Sequence, residues 1–310
     1  MLIQARVDFK KPDIQELKNK GYTLVDMHVH SNYSDGLNSI KTILKKAKKL
    51  GIGIAITDHN EIKGSLEALK DKGSYVIPGI ETSSDEGIHM LFYFYSKNDL
   101  IDFYYKAIHN YKRRNPNTFL KTSINNIIDK AKAYNCIICP AHPFAIAWTG
   151  MCKYAHRSYI DDVVLSKINA VEVITGSNLK RANQKAVIFA EKLKKGIVGG
   201  SDAHTLGEVG GVITYTKEKL DYYSFLDAIV DHRSFVIGKE TQILHRAATH
   251  SIKVKGPIKN PIISIKKGIA YMKKREYKIK YVIGPIKEEF SNEFHNKKEK
   301  IKKLLRKKKT

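Results

Sequence analysis

Two histidines at alternate positions mark the end of a short apolar run near the start of the chain. His28 lies in the run 24–29 and His30 directly follows it, within T-L-V-D-M-H-V-H-S-N-Y-S-D-G. In a β-strand, residues two apart point to the same side, so both imidazoles should face one way where the strand ends. Asp35 follows in a Ser-Asp-Gly turn. Two imidazoles and a nearby carboxylate suit Zn, Mn or Fe, so this stretch predicts a metal site.

Residues of the same kinds recur downstream, each next to another strand-like apolar run. Taken singly, each has a structural explanation: His89 could be a hydrogen-bonded core residue, and Asp202 could cap a helix. Their shared placement at strand ends instead favours one common site for two or three divalent ions, with a carboxylate bridging two of them. The candidate ligands are His28, His30, Asp35, His59, Glu81, His89, His142, Asp202 and His204.

The elements that must position these residues alternate between strands and helices. Apolar runs predict strands over 23–29, 53–57, 75–80, 89–95, 136–139, 170–174 and 196–199. Amphipathic segments predict helices over 38–50, 64–71, 99–113, 119–134, 161–167 and 179–194. Strands separated by helices predict a parallel sheet, and seven units suggest a closed α/β barrel with its chemistry at the carboxyl ends of the strands. A doubly wound open sheet is the alternative, although no G-x-G-x-x-G follows the first strand.

Length and composition limit the class of protein. With 310 residues and 42% hydrophobic content, the chain can bury a sizeable core, and we expect a folded domain over 1–240 with an extension over 241–310. No apolar stretch approaches the roughly 20 residues of a membrane-spanning helix, and the N-terminus lacks the apolar centre of a signal peptide. We therefore expect a cytoplasmic protein with no membrane partner. Its three cysteines cannot form a disulfide framework.

Basic residues are concentrated at the C-terminal end of the chain. The net charge is +24, and residues 241–310 contain 21 Lys and Arg against five Glu and no Asp. A segment of this kind attracts polyanions, which favours a nucleic-acid partner. A Lys-rich composition shared by a whole proteome, for instance in a heat-adapted organism, is an equally good explanation of the charge.

Six short motifs follow one another between residues 23 and 211: H-V-H-S-N-Y-S-D-G, I-T-D-H-N, P-G-I-E, I-H-M-L, A-H-P-F and G-S-D-A-H. This ordered series resembles the PHP (polymerase and histidinol phosphatase) superfamily of metal-dependent phosphoesterases. The Ser-Asp-Gly form of the first motif looks most like the stand-alone branch, which includes nucleotide phosphatases and 5′-to-3′ exoribonucleases. The resemblance implies an α/β fold of the PHP type, a distorted seven-stranded β/α (TIM-like) barrel with three metals.

The resemblance also implies how the ligands divide among the ions, which would be Mn, Zn or Fe. One ion would take His28, His30, Glu81 and Asp202, a second would share Glu81 and add His89 and His142, and a third would take Asp35, His59 and His204. Thr175 stands where the family usually has an asparagine, so we carry over no substrate contact from that strand end. We interpret Glu172 as a strand residue outside the site.

Hydrolysis of a phosphate ester is the chemistry that such a cluster predicts. Bound divalent ions lower the pKa of water, so hydroxide is available near neutral pH to attack phosphorus in line. Asp58, beside His59, is a candidate for orienting an imidazole, and His204 is both a ligand and a candidate for assisting the leaving oxygen. Arg113 and Arg181 are candidate phosphate-binding residues, with solvated helix faces as the simpler interpretation of each.

Three functions stay open at this point. The predicted substrate is a nucleotide or a short RNA or DNA, with the basic C-terminus as a further contact. A small-molecule phosphatase, acting for example on a histidinol-phosphate-like ester, would carry the basic segment incidentally. An RNA-binding scaffold of the same fold would have no reason to retain all nine ligands, so the sequence favours an enzyme.

Overall fold

A computed structural model describes residues 2–145, 149–153 and 162–240. The predicted basic extension, 241–310, lies outside the described residues, so the division of the chain at residue 240 stays a prediction. The strands are β1 (Val7–Asp8), β2 (Thr23–Val29), β3 (Gly53–Ile56), β4 (Val76–Ser83), β5 (His89–Phe94), β6 (Cys136–Pro140), β7 (Ala170–Thr175), β8 (Gly196–Gly200), β9 (Val212–Thr216) and β10 (Phe235–Gly238). The α-helices are α1 (Ile14–Asn19), α2 (Ile40–Leu50), α3 (Lys63–Ala68), α4 (Lys97–Phe103), α5 (Ile124–Ala131), α6 (Asp162–Ser166), α7 (Lys180–Leu193) and α8 (Tyr222–Val230).

The strands form a mixed sheet. Eight of them follow the order β1-β10-β9-β2-β3-β4-β5-β6, and β7 pairs with β8. Neighbours β2, β3 and β4 are parallel, as are β7 and β8. The expectation of an all-parallel sheet is wrong for β5, which is antiparallel to both β4 and β6. The cause is local, because only residues 84–88 separate β4 from β5, and a parallel pair needs a crossover of a dozen residues or more.

The sheet curls, and backbone hydrogen bonds link the β7–β8 pair to it on both sides. Asn169, just before β7, donates its N–H to the carbonyl of Ile138 in β6 (2.9 Å). Beyond β8, Ala203 donates to the carbonyl of His28 (3.3 Å) and accepts from the N–H of His30 (2.9 Å). The result is an α/β fold with a curled mixed sheet, not the doubly wound open sheet that was the alternative. A regular seven-stranded barrel stays a prediction.

Helices form where apolar residues recur at helical spacing. In α2 the buried residues pack against the sheet from outside; they are Ile40, Ile43, Leu44 and Ala47. Ser39 caps the start of this helix by accepting a hydrogen bond from the N–H of Thr42, and Gly51 ends it with a φ of +70°. Packing of this kind keeps the helix behind the sheet and leaves the strand ends open to carry polar residues.

Several elements depart from the predicted ones. The predicted helix over 99–113 ends as α4 at Phe103 and continues as a π turn (Tyr104–Ile108) and a 3₁₀ turn (His109–Tyr111). Of the predicted helix over 119–134, only α5 is helical. The sequence patterns used above do not predict β9, α8 or β10, although the β-branched run V-I-T-Y-T and the N-cap Asp221 were available signals. Within the part of the chain that the structure describes, no helix is long and apolar enough to cross a bilayer.

Candidate metal centre

All nine predicted ligands meet at one end of the curled sheet. Strands β2, β3, β4, β6 and β8 run toward this end, and eight of the ligands lie in or just after these strands. Strand β5 runs away from it, so its ligand, His89, is its first residue. The contacts described below join every one of the nine to at least one other. The structure therefore brings together the residues that the sequence predicts as ligands.

Four ligands form a buried group, defined as His28, His30, Glu81 and Asp202. Nε2 of His28 lies 3.1 Å from Nε2 of His30, and 3.5 Å from both Oε2 of Glu81 and Oδ1 of Asp202. Nε2 of His30 lies 3.0 Å from Oδ1 of Asp202 and 3.5 Å from Oε2 of Glu81. Donors on one tetrahedral ion, with bonds of about 2.0–2.2 Å, stand about 3.3–3.6 Å apart. These separations place the donor atoms of His28, His30 and Asp202 close enough together to share one ion, with Oε2 of Glu81 3.5 Å from both imidazoles.

Glu81 presents its two carboxylate oxygens to different histidines. Oε2 faces the buried group and lies 2.8 Å from Nδ1 of His59. Oε1 lies 3.0 Å from Nδ1 of His89 and 3.1 Å from Nε2 of His142. Because each oxygen faces its own set of imidazoles, Glu81 has the geometry of a ligand shared between two ions.

Three ligands form an outer group, defined as Asp35, His59 and His204. Oδ1 of Asp35 lies 3.1 Å from Nε2 of His204 and 3.7 Å from Nε2 of His59. These side chains are 22%, 14% and 13% exposed for Asp35, His204 and His59, whereas Glu81 is fully buried. His59 offers one ring nitrogen to this group and the other to Glu81, and His30 also faces both groups. The division of ligands among ions that the resemblance implies therefore stays a prediction.

The donor atoms fit divalent cations better than they fit one another. Nδ1 of His30, Nδ1 of His59 and Oε2 of Glu81 are buried, but they make no well-aligned hydrogen bond within the described residues. Nδ1 of His59 and Oε2 of Glu81 are only 2.8 Å apart and are still misaligned. Since buried polar atoms are rarely unsatisfied, these atoms point to a cation as their partner. Six imidazoles and three carboxylates suit Zn, Mn or Fe better than Mg.

Charge is strongly concentrated in the metal-free cluster. Burial alone would raise the pKa of Glu81, but the imidazoles of His59, His89 and His28 lower it well below its usual range. Burial alone would lower the pKa of His59, but Glu81 and Asp35 outweigh this effect and raise it to about 9. Protons on histidines therefore balance the carboxylates when no metal is bound. Divalent ions would have to replace those protons.

Asp26, a buried aspartate of β2, fixes the turn that carries Asp202. It accepts hydrogen bonds from the N–H (2.9 Å) and hydroxyl (2.6 Å) of Ser201 and from the N–H of Gly210 (2.8 Å). Burial raises the pKa of Asp26 to about 6, although these hydrogen bonds oppose the shift. Asp202 thus follows directly on a residue whose backbone and side chain are both held by β2.

Asp58 organises the loop that carries Asp35. Its carboxylate accepts hydrogen bonds from the N–H (2.7 Å) and hydroxyl (2.6 Å) of Ser31 and from the hydroxyl of Ser34 (2.5 Å). These bonds shape the turn that carries Asp35. The hydrogen bonds described for Asp58 support the first ligand loop and do not reach an imidazole, so its role in orienting an imidazole stays a prediction.

Glu172 lies at the centre, although the sequence interpretation placed it outside. It belongs to β7 as expected, and its Oε1 lies 2.9 Å from Nδ1 of His28. Its Oε2 accepts a hydrogen bond from the N–H of His142 (2.6 Å). The available signal was a carboxylate within the apolar run A-V-E-V-I-T, because a buried charge needs polar partners.

The two candidate phosphate-binding arginines lie on the surface. Arg113 donates from Nε to the carbonyl of Phe119 (2.8 Å), and its guanidinium lies 3.5 Å from Oδ1 of Asp85. Arg181 is exposed at the start of α7, which follows the carboxyl end of β7. No hydrogen bond or ion pair described for either arginine reaches a ligand, so phosphate binding by them stays a prediction. The proposed action of His204 on a leaving oxygen stays a prediction as well.

The backbone is strained at two of the ligands. His142 has a φ of +31° and Asp202 a φ of +51°, in a region that side chains other than glycine rarely adopt. Such conformations cost on the order of 1–3 kcal/mol and are found mainly at functional sites. Gly200 is needed for a different reason, because a Cβ there would stand 2.2 Å from Cβ of His28. At His142 and Asp202, the position of the ligand is kept although the backbone conformation is unfavourable.

Comparisons with known proteins match parts of the chain. A family model described as PHP-associated matches residues 180–233. An uncharacterised protein of Methanocaldococcus jannaschii is 39% identical over 77 residues, which cover 20% of this chain and 45% of that protein. DNA polymerase III subunit alpha of Helicobacter pylori is 36% identical over 70 residues, which cover 21% of this chain and 6% of the subunit. The chain thus spans less than half the length of these two relatives.

A solved structure shares the fold at low sequence identity. The lesion-specific endonuclease PfuEndoQ from Pyrococcus furiosus aligns with a TM-score of 0.56 and 21% identity, over 69% of this chain and 57% of that one. At this level of identity the likeness establishes a common fold. The chemistry of this chain has to be argued from its own residues.

Proposed function

We infer that this chain is a divalent-metal-dependent phosphoesterase of the PHP superfamily, an inference that its motifs, its fold and its PHP-associated segment support. The observation that carries the inference is Glu81, whose two oxygens face separate sets of histidines within a cluster of nine potential ligands. A structural zinc takes four ligands and is closed off, so a cluster of this size with an exposed side suits catalysis better. Phosphoryl transfer gains most from clustered cations, because its transition state carries charge on several oxygens.

The residues would divide the work between holding ions and acting on the substrate. Bound ions would supply water of lowered pKa and positive charge beside the phosphate oxygens. Following the resemblance, the buried group would hold one ion, Glu81 with His89 and His142 a second, and the outer group a third. His204 lies on the exposed side of the cluster, where it would act on the leaving oxygen either as a ligand or as a proton donor.

A basic loop beside the cluster favours a nucleotide or a short nucleic acid as the substrate. Hydrogen bonds join the loop 112–121 to residues at the carboxyl ends of β2, β3 and β4. It contains four cations and no acidic residue: Lys112, Arg113, Arg114 and Lys121. Lys112 is paired with Glu61 (2.8 Å) and Arg113 with Asp85 (3.5 Å), so the attraction rests mainly on Arg114 and Lys121. Cations at this position would attract the phosphates that flank a scissile bond. Endonuclease Q, which shares the fold, has been crystallised with a 27-mer duplex carrying an abasic lesion at its active site.

The direct test is hydrolysis by EDTA-stripped protein resupplied with Mn, Zn or Mg. A mononucleotide, a short oligoribonucleotide, a short oligodeoxyribonucleotide and histidinol phosphate are compared as substrates. We expect no activity without metal and better recovery with Mn or Zn than with Mg, because imidazole-rich sites disfavour Mg. Full activity of the stripped protein would overturn the phosphoesterase proposal. Preference for histidinol phosphate would favour a small-molecule phosphatase, and RNA binding without hydrolysis would favour a scaffold.

A truncation distinguishes a polymer substrate from a small one. Removing residues 296–310 deletes nine Lys and Arg and one Glu. If the proposed extension 241–310 binds phosphates, the deletion should leave mononucleotide hydrolysis unchanged while it raises KM for the oligonucleotide. The dependence of oligonucleotide cleavage on salt should also become shallower, because fewer counterions are released on binding. Equal effects on both substrates, or no effect on either, would contradict a polymer-binding role.

A further inference from the structure

Glu172 contacts two ligands that face different oxygens of Glu81: His28 lies near Oε2, and His142 lies near Oε1. One oxygen faces the ring of His28 in the buried group (2.9 Å), and the other accepts the backbone N–H of His142 (2.6 Å). Glu172 is only 1% exposed, so water does not compete for these contacts. His28 and His142 also stack, with ring centroids 6.0 Å apart. One carboxylate outside the ligand set thus fixes one ligand through its ring and another through its backbone.

We propose that Glu172 is a positioning residue for metal binding, which holds His28 in the tautomer with its proton on Nδ1 and a free lone pair on Nε2, and holds His142 in its strained backbone conformation. The proposal rests on the ion binding assumed in the proposed function, but not on the substrate. It assigns Glu172 no contact with substrate or ion.

The tautomer follows from the chemistry of the contact. An ionised carboxylate can only accept hydrogen bonds, so the proton of a neutral His28 ring must lie on Nδ1, which faces Glu172. Nε2 then keeps its lone pair, and this atom is the one that faces His30 and Asp202. A carboxylate behind a ligand imidazole both fixes the ring and raises its basicity as a ligand.

The second contact supports a conformation that the backbone would not choose. His142 has a φ of +31°, and its Nε2 nevertheless lies 3.1 Å from Oε1 of Glu81. The N–H of His142 donates to Glu172 at 2.6 Å, which is shorter than the 2.9 Å between Glu172 and His28. A charge-assisted hydrogen bond of this length is among the stronger ones in proteins and can offset much of the strain.

An irregularity in the pairing of β7 lies directly beside Glu172. The pairing of β7 with β8 is regular up to Glu172 and resumes at Ile174 with a shifted register. Irregularities of this kind redirect a side chain and are common beside active sites. The end of β7 is then fixed by Asn183, whose side chain both donates to and accepts from the backbone of Thr175 (3.1 and 3.2 Å).

Replacement by glutamine tests the contact because the amide cannot serve both partners. Its oxygen can accept from His142 only if its NH₂ group faces Nδ1 of His28. The His28 ring would then have to accept at Nδ1 and carry its proton on Nε2, which removes the lone pair needed for an ion. With the amide reversed, the NH₂ group would oppose the N–H of His142. Glu172→Gln keeps the shape of the side chain and breaks one contact in either orientation.

The experiment measures ion binding without substrate. EDTA-stripped wild type, Glu172→Gln and the exposed control Glu218→Gln are titrated with Co²⁺, and the affinity, the stoichiometry and the visible absorption of the bound ion are recorded. We expect the affinity of Glu172→Gln to fall about 10–100-fold, the range typical of lost carboxylate partners of ligand histidines, with an altered absorption spectrum. Glu218→Gln, which removes the same charge at the surface, should match wild type. Wild-type affinity and spectrum in Glu172→Gln would overturn the proposal.

A second variant and a stability measurement separate positioning from general support of the fold. Glu172→Asp keeps the charge but is one methylene shorter, so it should also weaken Co²⁺ binding; wild-type affinity in this variant would contradict the proposal. Thermal unfolding of the metal-free proteins gives the structural effect separately. A lowered melting temperature with unchanged ion affinity of the folded protein would show a merely structural role and overturn the proposal. Because no substrate is present, a failure of the phosphoesterase assay would leave these results standing.

Discussion

Two ligands of the buried group come from inside strands, whereas all three ligands of the outer group come from turns. His28 and Glu81 lie inside strands and are fully buried; His30 and Asp202 follow strands, and Asp202 is 11% exposed. In the outer group, Asp35, His59 and His204 lie in the turns that follow strands, and each is partly exposed. The two groups share a cluster but differ in how firmly the backbone holds them and in how easily solvent reaches them.

The difference indicates that one set of residues gives tight ion binding and another lets the substrate reach the ions. Donors on strands keep their separations without an ion, so less conformational entropy is lost when an ion binds. Donors in turns can move, and their exposure leaves room for a substrate or a leaving oxygen. We therefore expect an ion in the buried group to bind tightly and exchange slowly, and an ion in the outer group to bind more weakly and exchange readily.

Glu81→Gln should have the largest effect, because Glu81 serves the buried group and the histidine pair on its other side. We expect hydrolysis to fall by on the order of 100-fold or more, the cost of losing fixed charge at a phosphoryl centre. Elemental analysis after gel filtration should find fewer bound ions, while circular dichroism should show a folded protein. A full complement of ions in Glu81→Gln would show that Glu81 is not shared between two ions. It would then not matter that one oxygen of Glu81 faces the buried group and the other faces His89 and His142.

Asp35→Asn should have a smaller and more selective effect. It removes the carboxylate of the outer group, so one ion should be lost or bound at least about tenfold more weakly while the buried group stays occupied. Activity should recover at high Mn concentration, which Glu81→Gln should not do. Titration with Mn followed by electron paramagnetic resonance measures this, with the exposed Asp231→Asn as the matched control. Equal loss of all ions would mean that the two groups do not bind independently.

The smallest expected effect is a pH dependence centred on His59, which faces both groups. Its raised pKa of about 9 means that it carries a proton near neutral pH in the metal-free protein. Ligation requires the neutral ring, so metal binding should release protons and the apparent affinity should rise with pH up to about 9. Calorimetric titrations in two buffers with different ionisation enthalpies count the released protons. His59→Asn should release fewer, and His109→Asn, outside the cluster, should match wild type.

The same shift has the opposite sign for the stability of the metal-free protein. A histidine whose pKa is higher when folded stabilises the fold below its unfolded pKa of about 6.5, and this contribution is lost as the pH rises through about 9. Melting temperatures of the metal-free protein should therefore fall across this interval, whereas those of the metal-loaded protein should not. A rise for the metal-free protein would contradict the assigned protonation.

Much of the fold is predictable from local patterns, because strands buried on both faces form continuous apolar runs. The predicted strand over 23–29 coincides with β2, and the helix pattern of α2 is equally direct. The reversed direction of β5 was also readable. A ligand at the first residue of a strand can join the others at one end of a sheet only if that strand runs antiparallel. β9 and β10 depend instead on pairing with distant β2 and β1, which local patterns do not reveal.

The candidate site is predictable where chemistry alone selects a residue type, and less so where orientation matters. The nine ligands stand out because His, Asp and Glu are unusual at the ends of apolar strands. Sequence adjacency suggested that Asp58 orients an imidazole, but its described hydrogen bonds go to Ser31 and Ser34, which are distant in sequence. Glu172 was left out because its aim depends on the shifted register of β7, which has no local sequence signal.

The hydrogen bonds of Asp26 have a consequence for the order in which this chain can fold. They join β2 to Ser201 and Gly210, which lie 175 and 184 positions further along the sequence. Glu81 and His89, in contrast, are eight positions apart on one hairpin. Longer loops cost more entropy to close, and contacts between distant positions form late. The hairpin should therefore be in place before Asp202 arrives, so the chain must close a loop spanning 175 positions before the buried group exists.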